Sequence, residues 1–123
     1  AAVELAPNAS TRLAGFPMRE WRNRTGSAAF ATLAQGGKLI ARNRLFLPFV
    51  KDLKWKPARV RVKARNGRAV FECDVFAWGV CLDLDGERAL PDNFFDLYPG
   101  VPYSIPWKSK QAPKVLKVGN LIS

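Results

Sequence analysis

Arg59-Val60-Arg61-Val62-Lys63-Ala64-Arg65-Asn66-Gly67-Arg68-Ala69-Val70-Phe71 is the stretch that decides the fold. From Arg59 to Arg65 small apolar and long basic residues exchange with period two, the spacing of a strand with one face on a core and the other in water. Asn66-Gly67 supplies two residues that tolerate positive φ, as a type I′ hairpin turn requires. Residues 69–76 are then the return strand. Downstream, Trp78-Gly79 reads as a break and residues 80–84 as the next strand. Asp85-Gly86-Glu87-Arg88 is a turn, and residues 94–98, 102–107 and 115–122 are further strand candidates.

The same reading runs upstream. Residues 3–5 alternate, 6–10 form a turn, and 11–16 make a second short strand before Pro17. Residues 17–27 are a polar connection. Residues 28–33 and 39–47 are strands joined at Gln35-Gly36-Gly37-Lys38, where glycine supplies positive φ at little cost. Pro48 stops the second of them, and residues 49–57 are a connector. Helical periodicity is almost absent. Short strands punctuated by Gly, Pro and Asn every eight to twelve residues predict an all-β fold, an immunoglobulin-like antiparallel β-sandwich.

Composition narrows the function. The chain has 123 residues and 48 % hydrophobic content, enough for one core that buries roughly two thirds of the unfolded surface. No apolar run approaches the roughly 20 residues of a membrane-spanning helix, so no membrane is expected as partner. Residues 1–4 lack the basic and apolar regions of a signal peptide, and the sequence assigns no compartment. The chain has no histidine, which removes the usual Ser/His and Cys/His nucleophile systems and most zinc sites. No phosphate-cradling glycine loop occurs. No cofactor and no catalytic residue are expected. Cys73 and Cys81 fit neither a zinc nor a redox spacing. Strand alternation sends them to different faces, which favours two free thiols, one of them in the core, over a disulfide.

The carboxylates have competing readings. Asp83 and Asp85 share a strand face and form a weak cation pair; the preferred reading is two solvent-facing residues beside a turn. Asp92 and Asp96 lie on one face if their segment is extended, but aspartates in such settings more often accept hydrogen bonds from turn amides than serve a glycosidase.

Net charge is +10 and uneven. Residues 1–70 hold fifteen Lys/Arg against three Asp/Glu; residues 71–123 hold five against seven. Arg59, Arg61, Lys63 and Arg65 share one face. A nucleic-acid binder would interleave such residues with exposed aromatics. The preferred reading is a solvated face whose charges block edge-to-edge pairing, which argues against nucleic acid as a partner. Trp21, Trp55, Trp78 and Trp107 invite a sugar-platform reading, with Trp55 and Trp107 the better candidates for sugar or interdomain contact; tryptophan in a small sandwich more often packs in the core or between domains.

Residues 80–106 are specific enough for comparison with a family. Leu82-Asp83-Leu84-Asp85-Gly86 followed by Asp92-Asn93-Phe94-Phe95-Asp96-Leu97-Tyr98-Pro99-Gly100 resembles the C-terminal immunoglobulin-like domain of family 2 glycoside hydrolases, above all β-mannosidases and the related exo-β-glucosaminidases. The family run is Leu-Asp-Leu-Asp-Gly and then Ser-Asp-Asn-(Phe/Tyr)-Phe-Asp-Leu-Leu-Pro-Gly. Here Pro91 replaces the common serine and Tyr98 the common leucine. Asp74-Val75-Phe76-Ala77 resembles the family's Ser-Asp-Val-Phe-Ala, with Cys73 in place of serine, and residues 116–121 are similar to its last strand. The resemblance spans residues 45–121. More weakly, residues 3–17 and 30–47 resemble the last strands of the preceding immunoglobulin-like domain, with Asn43-Arg44-Leu45-Phe46-Leu47-Pro48 and Lys51-Asp52-Leu53 similar to the link.

The resemblance implies residues 1–49 as the end of one sandwich and 50–123 as a whole terminal one. It implies a parent that hydrolyses terminal β-mannosides with retention, through two glutamates of a (β/α)8 barrel. Neither catalytic motif is in this sequence, so no catalytic residue carries over. The implied role is structural, with the barrel and the preceding sandwich as partners. A carbohydrate-binding module with a glycan partner and a basic nucleic-acid-binding domain are the alternatives. In the motif, Asp92 and Asn93 are expected to bond turn amides and Asp96 to bond backbone at the corner. Phe94 and Phe95 are expected on opposite faces, and Pro99-Gly100 at the reversal.

Overall fold

The structure is a computed structural model that describes residues 2–22, 27–47 and 53–121. Its elements are one helical turn, α1 (Met18–Arg22), and the strands β1 (Ser27–Gln35), β2 (Lys38–Leu47), β3 (Val60–Arg65), β4 (Arg68–Cys73), β5 (Ala77–Val80), β6 (Phe95–Leu97) and β7 (Tyr103–Pro106), with a closing 3-10 turn at Gly119–Leu121. The protein is all-β and antiparallel. The chain divides into two compact units, Ala1–Leu53 and Lys54–Ser123, so the division falls a few residues beyond the expected boundary at 49/50.

In the first unit β1 and β2 form a hairpin, with Gln35 opposite Lys38 and Gly36 and Gly37 both at positive φ in the turn. The register puts Ala29, Ala31 and Leu33 opposite Leu45, Asn43 and Ala41 on one face. Leu33, Ile40 and Leu45 are exposed. Residues 3–5 and 11–16, expected as strands, form none. They are exposed, interrupted by Pro7 and by a turn in which Ala9 N–H donates to Ala6 O at 3.3 Å. A strand needs a neighbour to satisfy its backbone groups, and these segments pair with none of the described strands. The expected polar connection at 17–27 contains α1. Pro17 precedes it, and its fixed φ and missing donor suit a helix start. Pro48, Lys51, Asp52 and the end of the last strand candidate at Ile122 lie outside the described residues.

The second unit holds the core. One sheet has the order β3-β4-β7 and the other pairs β5 with β6. Asn66 and Gly67 adopt φ of 51° and 72°, the two positive values of the predicted turn. Alternation then sorts the side chains. Ala69, Phe71 and Cys73 of β4 are buried; Val60, Val62 and Ala64, opposite them on β3, are half-buried; the four cations at 59, 61, 63 and 65 are exposed. The Phe71 ring meets Phe95 of the other sheet edge-on, with centroids 4.9 Å apart and planes at 69°, and Phe95 meets Tyr103 at 4.8 Å. Ala77, Val80, Leu82, Leu97, Ile105 and Val118 complete this core.

Three expectations fail in this unit. The strand of residues 80–84 is instead β5, starting at Ala77, and Trp78-Gly79 do not break it. They form a bulge: Ala77 pairs with Leu97 and Val80 with Phe95, so two residues oppose Asp96 alone. Gly79, at φ 57°, allows it. After Cys81 the strand ends because side chains, not a neighbouring backbone, take the next polar groups. Residues 115–122 contribute one bridge, Lys117 to Cys81, before the 3-10 turn. Both Cys73 and Cys81 are buried free thiols. Cys73 packs in the hydrophobic core with Val80 and Leu82, whereas Cys81, between those two, is buried outside that cluster with its Sγ donating to Asp83 O at 3.4 Å.

Phe71→Ala should lower the stability of the second unit by about 3–5 kcal/mol, read as a drop in the urea midpoint followed by tryptophan fluorescence. Gly119→Ala should also destabilise, since a Cβ there would lie 2.8 Å from the Trp78 ring and 2.9 Å from its carbonyl oxygen. An unchanged midpoint in either variant would contradict the packing described.

Candidate functional site

The chemistry-bearing side chains converge on the irregular run 74–98, where strands are short and backbone groups need other partners. Asn93 bridges back to the chain before it: Leu82 N–H donates to Asn93 Oδ1 at 2.9 Å, and Asn93 Nδ2 donates to Asp83 O at 2.6 Å. Asp83 closes the loop that follows. Its Oδ2 accepts from Arg88 N–H at 2.7 Å and its Oδ1 from Asp85 N–H at 3.3 Å. Asp83 is buried and Asp85 exposed, so the reading of both as solvent-facing is corrected for Asp83. They do not share a strand face, because residues 82–84 are not a strand. Among the described residues no group of three or more His, Cys, Asp or Glu could hold a metal ion.

Asp92 accepts from the Tyr103 hydroxyl and from Asn93 N–H at 2.9 Å. Asp96, buried in β6, accepts from Gly79 N–H of the bulge at 2.9 Å. Phe95 and Phe94 part company: Phe95 is 5 % exposed in the core, while Phe94 is 59 % exposed and held at φ 57°. A positive φ is strained for a bulky side chain. Pro99-Gly100, with Gly100 at φ 72°, makes the turn that lets Val101 N–H reach Tyr98 O at 3.1 Å.

Asn120 is a tie that sequence reasoning missed. Trp78 N–H donates to its Oδ1 at 2.7 Å, and its Nδ2 donates to Lys56 O at 2.9 Å and Phe76 O at 2.6 Å. One buried amide joins three segments far apart in sequence. A lone asparagine near the end of a chain carries no pattern that could have revealed this.

The tryptophans are engaged inside the unit. Trp55 stacks on Trp78 at 5.2 Å and 12°, and on Phe76 at 6.1 Å and 27°. Trp107 is half-buried against the core, and its Nε1–H donates to Gln111 O at 2.9 Å. The side chain of Trp21 lies outside the described residues. No described helix is long and apolar enough to cross a membrane.

Two groups beside the β4 exit have shifted acidities. Burial pushes the Cys73 thiol up, against a smaller opposing effect of the Ala77 amide. The Arg59 amide beside Asp74 holds that carboxyl below its ordinary value, helped by Val75 N–H at 2.9 Å. A depressed carboxyl stabilises the fold above its ordinary pKa, and that stabilisation is lost as pH falls through the depressed value. A raised thiol contributes stability below its ordinary pKa and loses it as pH rises through the raised value. Asp74→Asn should therefore flatten the acid limb of a stability–pH curve, and Cys73→Ala the alkaline limb; unaltered limbs would refute the assignment. Asn120→Asp, which replaces two donors by a carboxylate facing two carbonyls, should cost at least about 2 kcal/mol by urea denaturation, where a surface substitution would leave the midpoint in place.

No protein-family model matches the chain, and comparison with curated proteins and with solved structures likewise finds no match.

Proposed function

We propose that this chain is a non-catalytic structural β-sandwich of the kind that ends β-mannosidase-like family 2 glycoside hydrolases, bracing other domains of a parent enzyme that cleaves terminal β-mannosides. One observation carries the reading. In Asp92-Asn93-Phe94-Phe95-Asp96, the segment of closest resemblance, the polar side chains tie the unit's own backbone and loops together, Phe95 fills the core, and Phe94 is presented outward at strained φ. Such a corner positions an aromatic for a neighbour and leaves its carboxylates engaged in structure. Paired carboxylates acting on a glycoside have to face a substrate cleft, whereas Asp83, Asp92 and Asp96 accept from amides or a tyrosine hydroxyl.

The purified chain should release no nitrophenol from p-nitrophenyl β-D-mannopyranoside, and the reading frame upstream of the Ala1 codon should encode a barrel with two strand-end glutamates. Hydrolysis by the chain itself, or a frame without such a barrel, would overturn the proposal.

A further inference from the structure

The basic face belongs to a strand with an open side. In the sheet β3-β4-β7, β3 is terminal, and among the described residues β4 is the strand it pairs with. Three features meet on it. Along the open side, the backbone groups of residues 60–65 that point away from β4 are a template for another strand. On the inner face, Val60, Val62 and Ala64 are only half-buried, whereas their β4 partners Cys73, Phe71 and Ala69 are buried. On the outer face, Arg59, Arg61, Lys63 and Arg65 recur about every 6.6 Å, twice the strand rise, and all four are exposed.

The sheet meets this charge at one end and not at the other. Asp74 lies beside Arg59 and Arg61, and Arg61 is opposite Glu72, but Lys63 lies opposite Val70 and Arg65 opposite Arg68. Like charges directly opposite destabilise a strand pair. Arg68 cannot readily swing clear, because its Nε–H donates to Ser104 Oγ at 2.9 Å and its Nη2–H to Ser104 O at 3.0 Å. Edge cations of this kind repel a second copy of β3. They do not repel a strand of opposite sign.

We propose that the open side of β3 is a docking edge for an extended acidic polypeptide segment, with carboxylates at alternate positions against Arg59, Arg61, Lys63 and Arg65 and small apolar side chains between them covering Val60, Val62 and Ala64. This is strand addition: main-chain hydrogen bonds give affinity and alternate side chains give selectivity. A phosphate backbone would meet the cations but could not use the amides and carbonyls on the strand's open side or its half-buried apolar row, and the described strand positions of this face (Arg61, Lys63, Arg65, Arg68, Val70, Glu72 and Ser104) include no aromatic for a base to stack on. The inference stands on the strand alone, whichever parent carries it.

The test uses the full chain and the peptide acetyl-Glu-Val-Glu-Val-Glu-Val-Glu-amide at low salt. Binding should weaken by at least about tenfold in the double variant K63E/R65E, whose new carboxylates lie opposite Val70 and Arg68 and so should not lower the urea midpoint. Amide exchange within β3 should slow by at least about fivefold on binding. The same peptide N-methylated at alternate residues keeps its charge but loses donors, and should fail to bind. Equal binding by the N-methylated peptide would overturn strand addition. Tighter binding of a single-stranded oligodeoxynucleotide of equal charge, with β3 exchange unaltered, would make the face a phosphate reader instead. No binding by either would leave the cations as edge protection only.

Discussion

Backbone groups that short strands leave unpaired have to find other partners, and the second unit is organised by that constraint. β5 and β6 share only two paired positions, and the sheet β3-β4-β7 cannot reach the run from Asp74 to Phe94. The deficit is met by side chains with two-ended polar groups. Asn120 ties residues 56, 76 and 78, Asn93 ties 82 and 83, Asp83 ties 85 and 88, and Asp96 holds the bulge at Gly79. Among the described residues no buried side-chain nitrogen or oxygen lacks a partner. A fully satisfied network is rigid and specific, while a half-satisfied one costs more than an apolar core. These amides and carboxylates are therefore as much a part of the fold as Phe71 and Phe95.

That division explains what could be read in advance. The β3–β4 hairpin was legible because period-two alternation and Asn66-Gly67 are local signals, and β1–β2 for the same reason around Gly36-Gly37. Residues 80–84 misled because apolar alternation there reports burial of Leu82, not pairing: the neighbour of Leu82 N–H is the Asn93 side chain. The same error in reverse made Trp78-Gly79 look like a break, since a bulge needs glycine just as a turn does. At the corner the residue types were legible but not their partners. Asp92 and Asn93 look like turn residues, yet Tyr103 and Leu82 meet them from eleven positions away. Asn120 gave no local signal at all, because its three contacts are all long-range.

The two units differ in how their apolar residues are used. In the second, Phe71, Leu82, Leu97 and Ile105 are fully buried between sheets. In the first, a hairpin places Phe30, Leu33, Ile40 and Leu45 in exposed positions, and an isolated two-stranded hairpin is at best marginally stable in water. The sequence pattern is equally strand-like in both. Among the described residues, what separates them is a second layer of sheet, which local alternation cannot report.

The charge asymmetry follows the same physical line. Acidic residues cluster in the second half of the chain because an irregular loop layer needs acceptors for its free amides: Asp74, Asp83, Asp92 and Asp96 all accept backbone N–H groups. Basic residues cannot serve those free amides, since arginine and lysine are donors only; Arg68 instead donates to Ser104 of the neighbouring strand. They collect where a strand face meets water, as on β3. Cations that the sheet does not neutralise still pay for their mutual repulsion, and Arg65 opposite Arg68 is the clearest case. The five cations Arg59, Arg61, Lys63, Arg65 and Arg68 meet two carboxylates, Glu72 opposite Arg61 and Asp74 beside Arg59 and Arg61, so positive charge stays in excess along this strand.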